Sequence, residues 1–178
     1  MAITFKSKKQ INEDRPKLSL LVHDDYELII TEVREKEQPK FNKPDEIEEV
    51  ISVQLEIVAF KDGEKAQDVD GGDATGRRVF FTGRPSSMGF TQAGVASITR
   101  QLVAHATNQP IDEELYLDDW QDLVGKTIFA EIIQYDNSKG ERRNKISRFL
   151  PSKRRTPRSQ VDTETLLPEE AEDLNVDF

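Results

Sequence analysis

The stretch Ile51-Ser-Val-Gln-Leu-Glu-Ile57 alternates an apolar with a polar residue at every step. Successive side chains of a β-strand point to opposite faces, so this pattern predicts a strand with one face buried and the other exposed. We extend the strand to residues 50–60, because Asp62-Gly63 supplies a turn directly afterwards. A half-buried strand is typical of an antiparallel sheet, so the chain must contain further strands of this kind.

Four other segments have strand character and one has helical character. The further strands are predicted over about 26–34, 77–82, 127–135 and 143–150. Apolar residues at three- and four-residue spacing predict a helix over about 91–107, with Thr91 as its N-cap. Three strands, a helix and two strands follow the order of the oligonucleotide-binding (OB) fold, a five-stranded Greek-key barrel whose helix connects strands three and four. We therefore predict a mainly β, OB-like fold.

Charge divides the chain into three regions. It has 25 basic and 34 acidic residues, a net charge of −9, and seven of the acids follow the last basic residue, Arg158. Without those seven acids, 27 acids and 25 bases remain, which is a charge of −2. We predict a basic N-terminal arm over 1–24, an OB-like domain over 25–151, and a basic linker with a disordered acidic tail over 152–178.

The tail ends in Asp177-Phe178, and an aromatic residue in such a segment has no packing role. An aromatic ring and acidic side chains can enter a pocket with a basic rim on a partner protein. We predict a partner-binding site formed by Asp173, Asp177 and Phe178. A merely solubilising tail is the alternative.

The two connections expected to clasp a nucleic acid strand on this fold both combine basic with aromatic residues. The predicted residues of the first connection are Lys36, Lys40, Phe41 and Lys43, and those around the second are Tyr135, Lys139, Arg142, Arg143 and Lys145. Arg77 and Phe80 on the third strand complete the predicted DNA-binding set. Phe80 and Phe81 are adjacent, so we expect them on opposite faces, one of them in the core.

Catalytic and metal chemistry have little support in the sequence. There is no cysteine, which excludes disulfides and thiolate metal sites, and the two histidines lack ligand spacing. Gly125-Lys126-Thr127 resembles the end of a phosphate-binding loop, but Trp120 stands where that loop requires glycine. We predict no enzyme activity, no cofactor and no metal site. A nuclease using Mg²⁺ at the acids of residues 112–119 is one alternative, and an acidic adaptor that binds a replication or host protein without DNA is another.

The chain resembles phage-encoded single-stranded DNA-binding proteins over residues 25–151 and 160–178. The resemblance is carried by 122–126, Ala130-Glu131-Ile132, Asn144-Lys145-Ile146, Phe149-Leu150-Pro151 and the final Asp177-Phe178, where bacterial relatives usually have Pro before the Phe. It implies sequence-tolerant binding of single-stranded DNA in replication or recombination, with the tail contacting a polymerase, primase or helicase. We expect a protein of the host cytoplasm with no membrane partner, and a homodimer is compatible with the sequence.

Overall fold

The computed structural model describes residues 4, 5, 7 and 18–152. The elements follow the order β1 (Asp24–Pro39), β2 (Ile47–Phe60), β3 (Arg78–Gly83), α1 (Ile98–Ala106), β4 (Thr127–Asp136) and β5 (Arg142–Leu150). A 3-10 helix, Trp120–Leu123, precedes β4. The predicted order of strands and helix is confirmed. The tail residues Asp173, Asp177 and Phe178, and most of the predicted N-terminal arm, lie outside the described residues.

The five strands form one antiparallel sheet in the order β3-β2-β1-β4-β5. β1 is the central strand, pairing with β4 through Asp24–Ile29 and with β2 through Tyr26–Pro39. The sheet is open, because no hydrogen-bonded ladder joins β3 to β5 in the described part of the chain. The mainly β prediction is confirmed, whereas closure into a barrel is not shown. Side chains do connect the two edge strands, since the rings of Phe81 and Phe149 meet edge to face at 5.1 Å.

Beyond Ile30, β1 keeps β2 as its only partner, and we call this part of the two strands the β1–β2 ribbon; β3 stays paired with it as far as Ile51, which lies opposite Glu35. The last bonds between β1 and the start of β4 join Ile30 to Gly125 and Lys126, and a register shift follows between Ile30 and Glu32. β1 then pairs with β2 alone as far as Pro39 opposite Ile47. Our prediction that β1 ends near residue 34, with Lys36 in a loop, was wrong. Residues 34–38 are all polar, so no buried face marked them as strand.

One face of the sheet forms the core. Leu28, Val53, Leu55 and Ile132 are almost inaccessible to solvent, in step with the alternation first seen in β2. Tyr26 is buried among them, and its hydroxyl donates to the carbonyl oxygen of Val22 at 2.7 Å. Burial raises the pKa of this phenol well above its ordinary value. Each such aliphatic side chain contributes about 1.5–3 kcal/mol through burial, so the alternating pattern fixes which face lies inward.

The helix is shorter than its periodicity predicts. α1 begins at Ile98, and the N-cap is Ser97, whose hydroxyl accepts from the backbone N–H of Arg100. Thr91, the predicted N-cap, instead closes a turn in which its hydroxyl accepts from the N–H of Val95. The positive φ of Gly94 belongs to this turn and interrupts the helix that the apolar spacing suggested. No helix within residues 18–152 has the length and apolar character needed to span a membrane.

Candidate nucleic-acid interface

The solvent-facing side of β1, β2 and β3, which we call the outer face, displays an aromatic ring. Phe80 is 63% exposed, whereas its neighbour Phe81 is 9% exposed and packs in the core. The prediction that the two rings point to opposite faces is confirmed. The register places Phe80 directly opposite Gln54 of β2. An exposed ring on the face of a sheet is a surface on which a nucleic acid base can stack.

Polar side chains around Phe80 are held in place by hydrogen bonds. The side-chain amide nitrogen of Gln54 donates to the hydroxyl of Thr31 at 3.1 Å, and that hydroxyl donates to the backbone carbonyl oxygen of Gln54. Ser52 and Thr82 face each other one pair further along the same face. The ring therefore stands on a polar surface that offers donors and acceptors to a base edge, with Glu32 of β1 as the pairing partner of Gln54.

Basic side chains line the same face at two-residue spacing. Arg78 flanks Phe80 on β3 and stands opposite Glu56, without any carboxylate oxygen within 4 Å among the described residues. Arg34 of β1 lies opposite Ser52 and forms an ion pair with Glu32. Beyond the end of β3, Arg84 is paired with Glu48 at 3.0 Å. Arg78 is thus the base beside Phe80 that is most readily available to a phosphate.

The connection between β1 and β2 carries the predicted Lys40, Phe41 and Lys43. Phe41 is 93% exposed, which confirms the expectation that this ring lies on the surface. The ammonium groups of Lys40 and Lys43 share one carboxylate, that of Glu46, at 2.8 Å and 3.7 Å. The hydrogen bond with Glu46 raises the pKa of Lys40, and the same bond lowers the pKa of Glu46. One acid therefore offsets one of the two positive charges that Lys40 and Lys43 bring to this connection.

The hairpin between β4 and β5 pairs two of its four predicted bases with carboxylates. Arg142 lies 3.3 Å from Asp136, and Arg143 lies 2.9 Å from Glu141. The ammonium group of Lys145 sits 4.7 Å from the centre of the Tyr135 ring, a cation–π contact that covers one side of that ring. Lys139, at the turn, has no carboxylate within 4 Å in the part of the chain that the structure describes.

The two hairpins lie at opposite ends of β1. Asp24 at the start of β1 pairs with Ile132, near the β4–β5 hairpin, whereas Pro39 at its other end pairs with Ile47, next to the β1–β2 connection. The outer face lies between them. The predicted bases therefore form two groups, one at each hairpin, with Phe80 between them. That both groups line one DNA-binding groove stays a prediction.

Arg77 does not belong to this face. Its guanidinium donates to the carbonyl oxygen of Ser19 at 2.7 Å and so ties the segment before β1 to the sheet. Residues three apart on a strand lie on opposite faces, so Arg77 and Phe80 cannot share one. Sequence reasoning missed Arg78, Gln54 and Arg34, although two-residue spacing from Phe80 would have identified Arg78.

A separate polar cluster centres on Glu131 of β4. Its carboxylate accepts hydrogen bonds from the His23 ring, the Ser147 hydroxyl and the Arg148 guanidinium, each at 2.9 Å. These donors, with His23 as the largest cause, lower the pKa of Glu131 from 4.5 to about 2. The cluster joins the segment before β1 to β4 and β5. It also pairs the guanidinium of Arg148 with a carboxylate.

The remaining candidate chemistry has structural roles. Gly125 has a positive φ and turns the chain directly into strand β4, whereas a phosphate-binding loop leads into a helix. In the acidic run, Asp119 caps the 3-10 helix by accepting from the N–H of Gln121, and Glu114 accepts from the hydroxyl of Tyr116. Residues 18–152 contain no cluster of three or more His, Asp or Glu side chains placed to hold a metal ion.

Neither a protein-family model nor a curated protein matches this chain. The features that bear on function are therefore the exposed ring, the charges around it and the topology of the sheet.

Proposed function

We propose that the protein binds single-stranded DNA without sequence preference, through the outer face around Phe80. The observation that carries the proposal is the exposed Phe80 ring beside Arg78, on the surface formed by three paired strands. Stacking on an aromatic ring accepts any base, because every base has a π-face, and an adjacent arginine attracts the phosphate backbone. Phe41 and the bases of the two hairpins extend this surface toward both ends of β1.

The fold supports this proposal through its strand pairing. The observed pairs β1 with β2, β2 with β3, β1 with β4, and β4 with β5 are those of an OB-like Greek-key barrel. We propose that the sheet curls into such a barrel, with the edge-to-face contact between Phe81 and Phe149 holding its two edge strands together. On that fold, the surface of strands two and three is where single strands bind.

The proposed biological role follows from the resemblance to phage single-stranded DNA-binding proteins. The protein would act in phage DNA replication or recombination in the host cytoplasm, and its tail would recruit a polymerase, primase or helicase through Asp173, Asp177 and Phe178. Replacing Phe178→Ala should abolish capture of that replication protein while leaving DNA affinity unchanged. If the variant still captures the replication protein, Phe178 is not the anchor and the tail has only a solubilising role.

A titration of labelled oligo(dT) and of a duplex of equal length tests the binding proposal. The single strand should saturate first, and its logarithmic affinity should fall linearly with the logarithm of salt concentration, by about 0.7 for each phosphate contact. Repeating the titration with Mg²⁺ should leave the DNA intact. Failure to bind either DNA would favour the adaptor alternative, and cleavage with Mg²⁺ would favour the nuclease.

A further inference from the structure

A groove runs between the β1–β2 ribbon and the segment that precedes β4. It consists of two cavities of 430 Å³ and 230 Å³ that share Glu35 and Trp120 in their walls. The first cavity is completed by side chains such as Met88 and Leu117, and the second by side chains such as Val50 and Pro85. We call the two together the acidic groove, because most of the charged side chains that line them are carboxylates.

Local structure fixes the walls of this groove. Asp119 caps the 3-10 helix that begins with Trp120, and Leu123 at its end is fully buried. The side-chain amide of Gln121 donates to the carbonyl oxygen of Val33 in β1 at 2.7 Å. This bond holds the 3-10 helix against the ribbon, so the half-buried indole of Trp120 stays beside Glu35.

The charges of the groove are mostly of one sign. Five carboxylates line it, with a single base, Lys36, in the second cavity; the acids are Glu35, Glu37, Glu49, Asp118 and Asp119. An indole face beside carboxylates suits a guanidinium group, which stacks on an aromatic ring and pairs with carboxylates in the same plane. The acidic groove therefore fits an arginine-containing basic segment.

Such a segment follows the last strand of this chain. Lys153, Arg154, Arg155 and Arg158 follow directly after the last described residue, Ser152. Leu150 pairs with Phe129, three residues from Lys126, and Lys126 lines a third cavity together with Asp118 and Asp122. Asp118 also belongs to the acidic groove. Six residues span about 20 Å when extended, which is the reach of residues 153–158 from Ser152.

We propose that residues 153–158 dock in the acidic groove of the same molecule, with an arginine stacked on Trp120. Four bases meet five acids, and the short tether gives a high effective concentration. Docking would make these bases unavailable to DNA. The acidic tail would then leave the domain at the groove, on the other side of the ribbon from Phe80. The inference concerns the protein alone and can be tested without DNA.

The fluorescence of Trp120 provides the test, because it is the only tryptophan in the chain. In the full-length protein, neutral acrylamide should quench the fluorescence weakly, since the docked segment covers the ring. Replacing Lys153, Arg154, Arg155 and Arg158 together by Gln should remove this protection. High salt should remove it from the parent protein but leave the variant unchanged. Equal quenching of parent and variant at low salt would overturn the proposal.

Variants of the groove supply an independent check. Glu35→Gln combined with Asp118→Asn should cause the same loss of protection, whereas Glu64→Gln, an exposed acid outside the groove, should not. Circular dichroism should show an unchanged fold in each variant. Loss of protection in the Glu64→Gln control would mean that the overall charge of the protein, and not contact with the groove, controls the quenching of Trp120. That result would overturn the proposal.

The same measurement identifies a different occupant. Replacing Lys6, Lys8 and Lys9 by Gln removes bases from the other end of the chain and should leave Trp120 protected. Protection lost in that variant would assign the groove to the N-terminal arm and overturn the proposal. Protection that depends on protein concentration would assign it to a second copy, with the same consequence.

Discussion

The outer face and the acidic groove flank the same β1–β2 ribbon, and each has one aromatic ring, yet their charges differ in sign. Phe80 stands beside Arg78, whereas Trp120 lies among carboxylates such as Glu35 and Asp118. The alternation of β1 contributes to the difference, because Arg34 lies on the outer face, opposite Ser52, whereas Glu35 and Glu37 line the groove. The comparison teaches that the net charge of −9 describes neither surface.

The largest expected effect is a loss of DNA affinity on replacing Phe80 that does not occur on replacing Tyr116, although the two rings are similarly exposed. Phe80→Ala should cost on the order of 1 to 3 kcal/mol in affinity for oligo(dT), because a stacking platform is lost. Tyr116→Ala should cost nothing, although Tyr116 is 68% exposed, because it lies in the acidic connector with its hydroxyl bonded to Glu114. Fluorescence anisotropy measures both. Equal losses for the two variants would contradict stacking on the outer face.

A second prediction compares a base without a carboxylate partner with one that has such a partner. Arg78→Gln should lower the salt slope of single-strand binding by about 0.7, the value for one phosphate contact. Arg143→Gln should lower it less, because the guanidinium of Arg143 already lies 2.9 Å from Glu141. Titrations at several salt concentrations give both slopes. A larger change for Arg143 would move the DNA path from the outer face to the β4–β5 hairpin.

On the acidic side of the ribbon, the expected change is smaller and opposite in sign. Glu37→Gln should strengthen oligo(dT) binding slightly at low salt, because it removes a repulsive charge that does not touch DNA. The gain should vanish at high salt, where charges separated by more than the Debye length are screened. Titrations at two ionic strengths decide the matter. Weaker binding by this variant would place DNA in the groove and break the comparison.

The smallest effect on DNA binding is expected at Glu131, which belongs to neither surface. Its pKa is lowered from 4.5 to about 2, so its ionised form stabilises the fold above about pH 4.5. That stabilisation should be lost as pH falls toward 2, and Glu131→Gln should lack this part of the pH dependence. Chemical denaturation between pH 6 and pH 3 measures it. Identical pH profiles for both proteins would contradict the role of the cluster.

The strands and the orientation of their side chains could be predicted because both depend on local alternation. The pattern of residues 51–57 identifies the buried face of β2, and the adjacency of Phe80 and Phe81 forces one ring outward. The exposed position of Phe41 also followed from its polar, proline-flanked surroundings. These features need no knowledge of distant parts of the chain.

The other features depend on contacts between distant residues or on backbone conformation. The ribbon extends to Pro39 because β2 pairs with it, although its residues have no apolar face of their own. The turn at Gly94 interrupts an apolar spacing that looked helical from residue 91. Glu46 neutralises part of the charge at Lys40 and Lys43, which a count of basic residues in the connection could not reveal.

Ultraviolet crosslinking of oligo(dT) to the full-length protein tests the central claim most directly. Mass spectrometry of the crosslinked peptides identifies which aromatic residue contacts a base at saturating protein. The account predicts attachment at Phe80 on the outer face and none at Trp120 in the acidic groove. Attachment at Trp120, or no attachment at Phe80 when the DNA is fully bound, would contradict it.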